Sequence, residues 1–209
     1  MNLANVISLA SKAADPDTQR AISGVYVGPG PDGSLLVTGT DGRLLVEYQI
    51  GKDAEGVSGW IPPSPCIVDC AGFKMLDAFC RQLPTPTKRY RNPTGLEVVW
   101  TCAEGGGGTV RFQSHNRSVK VKLRDGKYPE YSGHFGLSPG FGHCDGFDTK
   151  YLPKIKALLE SCTDFPLRGL RAQHCGRKGY GVVLSPLFPA KGNVSVRILW
   201  MPMRVPNSD

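Results

Sequence analysis

Two His-Cys pairs, His143-Cys144 in GHC and His174-Cys175 in QHC, offer four soft ligands of the kind that hold zinc. Adjacent residues of a strand project in opposite directions, however, and the spacing between the pairs matches no standard zinc site. Glu104–Thr109, EGGGGT, has the glycine content of a phosphate loop. No Lys-Ser/Thr follows it and no helix opens there, so it reads as a flexible hairpin between two strands. The acid pairs Asp15/Asp17 and Asp53/Glu55 fall in loops without a catalytic partner. No Ser, Cys or His stands in a recognisable nucleophile motif. The chain is read as not an enzyme, with no cofactor and no metal.

Charge is more informative. With 25 Lys and Arg against 18 Asp and Glu, the formal net charge is +7. Such an excess favours an anionic partner, nucleic acid being the commonest, although a basic surface can also be merely soluble. Helical periodicity suggests where the charges fall. Lys12 lies opposite the stripe Leu3, Ile7 and Ala10. Lys74 and Arg81, seven apart, share a face opposite Leu76 and Leu83, with only Asp77 nearby. Lys150 and Lys154, four apart, share a face away from Leu152 and Leu159. If the three helices line one surface, these five cations form a positive track for DNA phosphates. The alternative is three ordinary solvated faces.

The elements that position these residues repeat. Helices are expected over Asn2–Ala14, about Ala71–Leu83, and in FDTKYLPKIKALLE, Phe147–Glu160. The last has Asp148 or Thr149 as N-cap, Pro153 in its first turn, and the stripe Tyr151, Leu152, Ile155, Leu158 and Leu159. Strands are expected at Ile22–Val27, Leu35–Thr38, Leu44–Ile50, Leu96–Cys102, Thr109–Gln113, Ser118–Arg124, Leu167–Gln173, Gly181–Leu184 and Asn193–Met201, with a turn at Thr40–Arg43. The result is three successive units of one helix plus antiparallel strands, an α+β fold. Pro84–Pro93 and Gly133–Gly146 read as loop and linker. No apolar run reaches ~18 residues, so no transmembrane helix is expected. The N-terminus lacks the basic region of a signal peptide. Seven irregularly spaced cysteines suit a reducing, cytoplasmic setting.

The chain finishes VRILWMPMRVP, Val196–Pro206, with a proline at a strand end between two soft apolar side chains. This ending completes a resemblance to the bacterial DNA polymerase III beta subunit, the sliding clamp. AISGVYV…GSLLVTGTDGRLLVEY, Ala21–Tyr48, resembles the clamp's strand-turn-strand with its Thr-Asp-Gly signature. VKLRDGKYPEY, Val121–Tyr131, resembles the strand leading to its Gly-Lys-Phe-Pro-Asp-Tyr type of motif. FDTKYLPKIKALLE resembles the Phe-Asn-x-x-Tyr-Leu helix of the last domain, and ILWMPMR, Ile198–Arg204, the Met-Pro-Met-Arg ending. The resemblance implies a DNA-clamp fold in which helices line an inner basic face and strands form an outer layer. It also implies non-specific duplex-DNA binding through the backbone, a clamp loader, and homo-oligomerisation.

The resemblance further implies an apolar groove that docks short peptides from polymerases and other replication proteins. By position the groove would include Thr40, Gly42, Arg43, Leu44, Leu45, Met201, Pro202 and Met203, with Arg204 at the rim. Methionine suits a site that adapts to several ligands. Residues 1–132 resemble a complete clamp domain of two units and 147–209 half of another, joined by a linker at 133–146. The first domain and half of the third have no counterpart, which leaves ring closure open. The alternative is an interaction protein that binds clamp-binding peptides without threading DNA. After Thr-Asp-Gly the chain has Arg43-Leu44-Leu45 where the family has His-Arg-Leu, so the register around Arg43 is open by one residue.

Overall fold

Helix formation follows the apolar stripes, over shorter spans than the sequence suggests. In the computed structural model, residues 2–16, 21–54, 57–83, 95–103, 107–131, 135, 147–161, 170–175, 181–187 and 194–201 are described. Helix α1, Leu3–Ala10, starts where the Asn2 side chain accepts the Asn5 N–H at 2.9 Å. Beyond Ala10 the chain winds on through three-residue turns, with Lys12 N–H to the Leu9 carbonyl and Ala13 N–H to that of Ala10. Helix α2, Phe73–Arg81, follows a 3₁₀ turn at Cys70–Gly72, and the Asp69 carboxylate accepts the Ala71 N–H. Helix α3, Leu152–Glu160, follows a 3₁₀ turn at Thr149–Tyr151 capped by Asp148.

The α3 stripe needs one correction. Tyr151, Ile155, Leu158 and Leu159 are buried, but Leu152 is 49% exposed. A side chain in the first helical turn leans back toward the N-terminus, so Leu152 reaches past the surface that the rest of the stripe covers.

The strands form one antiparallel sheet of ten. They are β1 Val25–Pro29, β2 Leu35–Thr40, β3 Leu44–Ile50, β4 Cys66–Val68, β5 Glu97–Cys102, β6 Gly108–Ser114, β7 Arg117–Arg124, β8 Leu170–Cys175, β9 Gly181–Pro186 and β10 Val194–Trp200. Their order across the sheet is β5-β6-β7-β4-β1-β2-β3-β10-β9-β8. Strand β4 is not foreseen from the sequence: three residues are too few to show alternation. It joins the β5–β7 group to the rest, pairing Val68 with Val25 on one side and with Leu123 on the other. On the far side β10 pairs with β3 from Val194↔Ile50 to Trp200↔Leu44.

All three helices pack on one face. Alternation sends Val25, Val27, Leu35, Val37, Val46, Tyr48, Val110, Phe112, Val121 and Ile198 to that face, where they meet Leu3, Ile7, Leu76 and Leu158 in one core. Each large side chain fully buried this way contributes about 2 kcal/mol of transfer free energy. The fold class is α+β, as the sequence leads one to expect, with helices on one side and strands forming the other layer.

Candidate docking groove and basic surfaces

The turn between β2 and β3 is held by its own side chains. Gly42 sits at φ +87°, a left-handed conformation that glycine adopts without strain. The Thr40 hydroxyl accepts the Gly42 N–H and donates to the Leu44 carbonyl. One Asp41 carboxylate oxygen accepts the N–H groups of Arg43 and Leu44, at 3.0 and 2.8 Å. This Asx geometry fixes the Arg43 carbonyl, which accepts the Met201 N–H at 2.9 Å. The β3–β10 ladder is thereby extended one bond beyond Trp200, and Thr40, Gly42, Arg43 and Leu45 are brought to the end of β10.

Leu45, Val183 and Leu199 form a small apolar cluster with Phe135, packed by Tyr131 and Met201 on the face without helices. Leu44, expected in the groove, lies in the core on the opposite face with no exposed surface. Neighbours in a strand cannot share a face, so assigning Leu44 and Leu45 to one groove conflicts with alternation. Pro202, Met203 and Arg204 lie outside the described residues, as do His143, Cys144 and the linker apart from Phe135. Tyr131, Phe135, Val183 and Leu199 were not among the expected site residues. Alternation along β10 could have supplied Leu199, two residues from Met201.

A strap after β7 crosses this face. Tyr128 donates to the Thr38 carbonyl at 3.3 Å, and the Tyr131 and Thr38 hydroxyls share a 2.7 Å hydrogen bond. Tyr26, Tyr128, Tyr131 and Phe135 form a run of tilted and edge-on ring contacts with centroids 5.5 to 6.3 Å apart. Gly28 leaves room for the Tyr26 ring: a Cβ there would come within 2.4 Å of the tyrosine oxygen. Burial pushes the phenols of Tyr26, Tyr128 and Tyr131 above their ordinary range. Beside them the buried Glu47 pairs with its cross-strand partner Arg197, whose guanidinium lies 4.3 Å from the centre of the Phe135 ring.

On the helix side, Ala14, Asp15, Asp41, Arg43, Lys150 and Tyr151 surround a polar depression of about 360 Å³. Burial, followed by the charge of Asp41 and a hydrogen bond to it, pushes the Tyr151 hydroxyl up to about 12. Of the five expected DNA-facing cations, Lys12, Lys74, Arg81 and Lys150 are exposed and Lys154 is half-buried. They fall into two groups. Lys12, Lys74 and Arg81 belong to α1, its trailing turn and α2, which pack together. Lys150 and Lys154 stand beside the Thr-Asp-Gly turn. Arg81 pairs with Asp77 at 2.5 Å, Lys150 with Asp148 at 2.8 Å, and Lys154 with Asp41 at 3.7 Å. The Lys150 hydrogen bond leads the effects that lower the Asp148 carboxyl below its usual range.

The cysteines give no reactive centre among the described residues. Burial pushes the Cys66 and Cys80 thiols up to about 12, which keeps them protonated at neutral pH.

No protein-family model matches the sequence, and no curated protein matches it. Solved structures do resemble the fold. The beta subunit from DNA polymerase of Streptococcus pyogenes matches 97% of this chain and 64% of its own, at 14% identity and a TM-score of 0.58. The Helicobacter pylori beta clamp in complex with diflunisal matches over the same shares, at 13% identity and TM-score 0.58. The DNA polymerase III subunit beta from Pseudomonas aeruginosa does so at 17% identity and TM-score 0.55. This chain spans a little under two thirds of the length of those proteins. The strand order, the helices on one face and these likenesses agree: the chain has the fold of the bacterial DNA sliding clamps.

Proposed function

We propose that this protein is a sliding-clamp-like processivity or recruitment factor, non-enzymatic, that binds duplex DNA non-specifically and docks short peptides from polymerases or other replication proteins. The observation that carries the reading is the Met201–Arg43 hydrogen bond, with the apolar cluster of Leu45, Val183, Leu199 and Met201 beside it. A rigid turn and a strand end held together around soft apolar side chains suit the anchor residues of a short peptide. DNA contact would come from Lys12, Lys74, Arg81, Lys150 and Lys154 through phosphates, without base readout. Copies of the chain would assemble, with a loader as a further partner, in the cytoplasm.

The test has two arms. Labelled peptides from polymerase tails are titrated against the protein and the Met201→Ala/Met203→Ala variant. Loss of about 2 kcal/mol, roughly thirtyfold in Kd, is expected. Equal affinity with an intact fold removes the groove. In the second arm, solution mass by light scattering is combined with retention on closed circular and linear DNA. A closed oligomer retained only on circles is expected. A monomer that binds peptide and ignores DNA means a peptide-docking protein that does not encircle DNA.

A further inference from the structure

The face of the sheet without helices carries a second basic surface, which helical periodicity cannot find. Strands β6 and β7 turn Val110, Phe112, Val121 and Leu123 toward the helices. Alternation then sends Arg111, Lys120 and Lys122 to the open face, and all three are exposed. The register sets Arg111 directly opposite Lys120, and Lys122 opposite Thr109. Like charges facing each other across a strand pair are destabilising, so the arrangement is not explained by stability. Among the described residues none of the three is in an ion pair. The acids of this region stand at its margins: Glu97 is opposite Gln113 on the edge strand, and Asp125 lies beyond the end of β7.

The surrounding side chains indicate the kind of partner. On the open face of β5, β6 and β7, Thr101, Thr109, Gln113, Ser118 and one acid, the exposed Glu97, accompany the three cations, and Val99 alone is apolar among the described residues. A protein interface needs a desolvated apolar or aromatic anchor and is depleted in lysine. Nucleic-acid interfaces are polar and strongly basic, and their phosphates are contacted by Arg, Lys, Ser, Thr and Gln. Alternate residues of β7 present charges about 7 Å apart in a row, while the strap's hydrogen bonds and ring contacts are made to Thr38 and Tyr26, on β2 and β1. We propose that Arg111, Lys120 and Lys122 form a sequence-independent binding surface for the phosphate backbone of nucleic acid, on the opposite side of the sheet from the helix-side cations. It stands independently of the peptide groove and of ring closure.

The experiment titrates a fluorescein-labelled duplex of mixed sequence, and the corresponding single strand, against the full chain between about 50 and 200 mM salt. Three lost phosphate contacts predict a plot of log K against log salt shallower by about 2.7 for the duplex and about 2.1 for the single strand. The expected result is that Arg111→Gln/Lys120→Gln/Lys122→Gln shows this change for whichever form binds, and shows it again when made in a Lys12→Gln/Lys74→Gln background. Equal slopes for the triple variant and the unmodified protein overturn the proposal. A second measurement needs no variant: acetylation of the Lys120 and Lys122 amines is followed by mass spectrometry with and without each nucleic acid. Several-fold protection by nucleic acid is expected. No protection, or protection by polyglutamate alone, overturns the proposal and assigns the face to solvent or to an acidic protein.

Discussion

The two faces of this sheet carry positive charge in different ways. On the helix side, Arg81, Lys150 and Lys154 each have an acid within 4 Å, and Lys156 stands 4.0 Å from Glu160. On the open face, Arg111 and Lys120 face each other, and among the described residues neither they nor Lys122 are in an ion pair. Counting cations on helices therefore overstates the field of one face, while strand alternation hides that of the other. What reaches a phosphate is the uncompensated charge, and that depends on which carboxylates the fold brings near.

The faces differ in packing as well, and the largest expected effects test that difference. Phe112→Ala removes a fully buried ring from the helix-side core and should cost about 3–5 kcal/mol, read as a lower urea midpoint. On the other face, Arg197→Ala leaves the 4%-exposed Glu47 without its partner. It should cost about 3 kcal/mol in the same assay, the low end for a broken buried pair because Arg197 itself is half exposed. If Arg197→Ala is neutral, the pair is an ordinary surface contact and the strap is held by its rings and its hydrogen bonds to Thr38.

The tyrosines give a smaller, pH-dependent effect. Tyr26, Tyr128, Tyr131 and Tyr151 all ionise above the ordinary phenol range in the folded chain. A raised folded pKa means that the contribution is fully present below about pH 10, the unfolded value, and is lost as the pH rises through the folded values. The buried Cys66 and Cys80 thiols, raised to about 12, should start the fall near pH 9, and the phenols should steepen it above about pH 10, by about 1.4 kcal/mol for each pKa unit that a phenol is raised. Tyr151→Phe should remove the phenolate that appears near pH 12 in ultraviolet titration. Absence of the steeper fall above about pH 10 would contradict the burial of the strap.

The smallest expected effect separates charge from stability. Asp77→Asn should change stability by less than about 0.5 kcal/mol, because the Asp77–Arg81 pair is exposed. It should nonetheless tighten salt-sensitive DNA association several-fold by freeing Arg81. Unchanged association would remove α2 from the DNA surface.

Much of the fold was legible in the sequence because it rests on short-range pattern. The apolar stripes locate all three helices, and the β3 limits agree with the structure at Leu44–Ile50. The hairpin at the Gly-rich stretch holds as well: Cys102 pairs with Gly108. The errors have identifiable physical causes. Strand β4 is too short for periodicity to register. Leu152 follows the stripe but lies at a helix start, where it is half exposed. Leu44 was grouped with Leu45 through family position, and alternation separates them. The Thr-Asp-Gly turn contains its own hydrogen-bonding logic, but its contact with Met201 spans the chain and is made only by the β3–β10 pairing.

The sequence by itself determined what neighbouring residues can decide between them: helix positions, the approximate place of nine of the ten strands, the glycine-dependent turn, and the sign of the net charge. These follow from backbone sterics, capping and periodicity, which act over a few residues. Only the tertiary structure decided which acids neutralise which cations, which apolar side chains flank Met201, and that Arg111 and Lys120 stand opposed. Each of those depends on strand register and on contacts between distant segments. A one-residue shift in register would change all of them without altering the local pattern that the sequence displays.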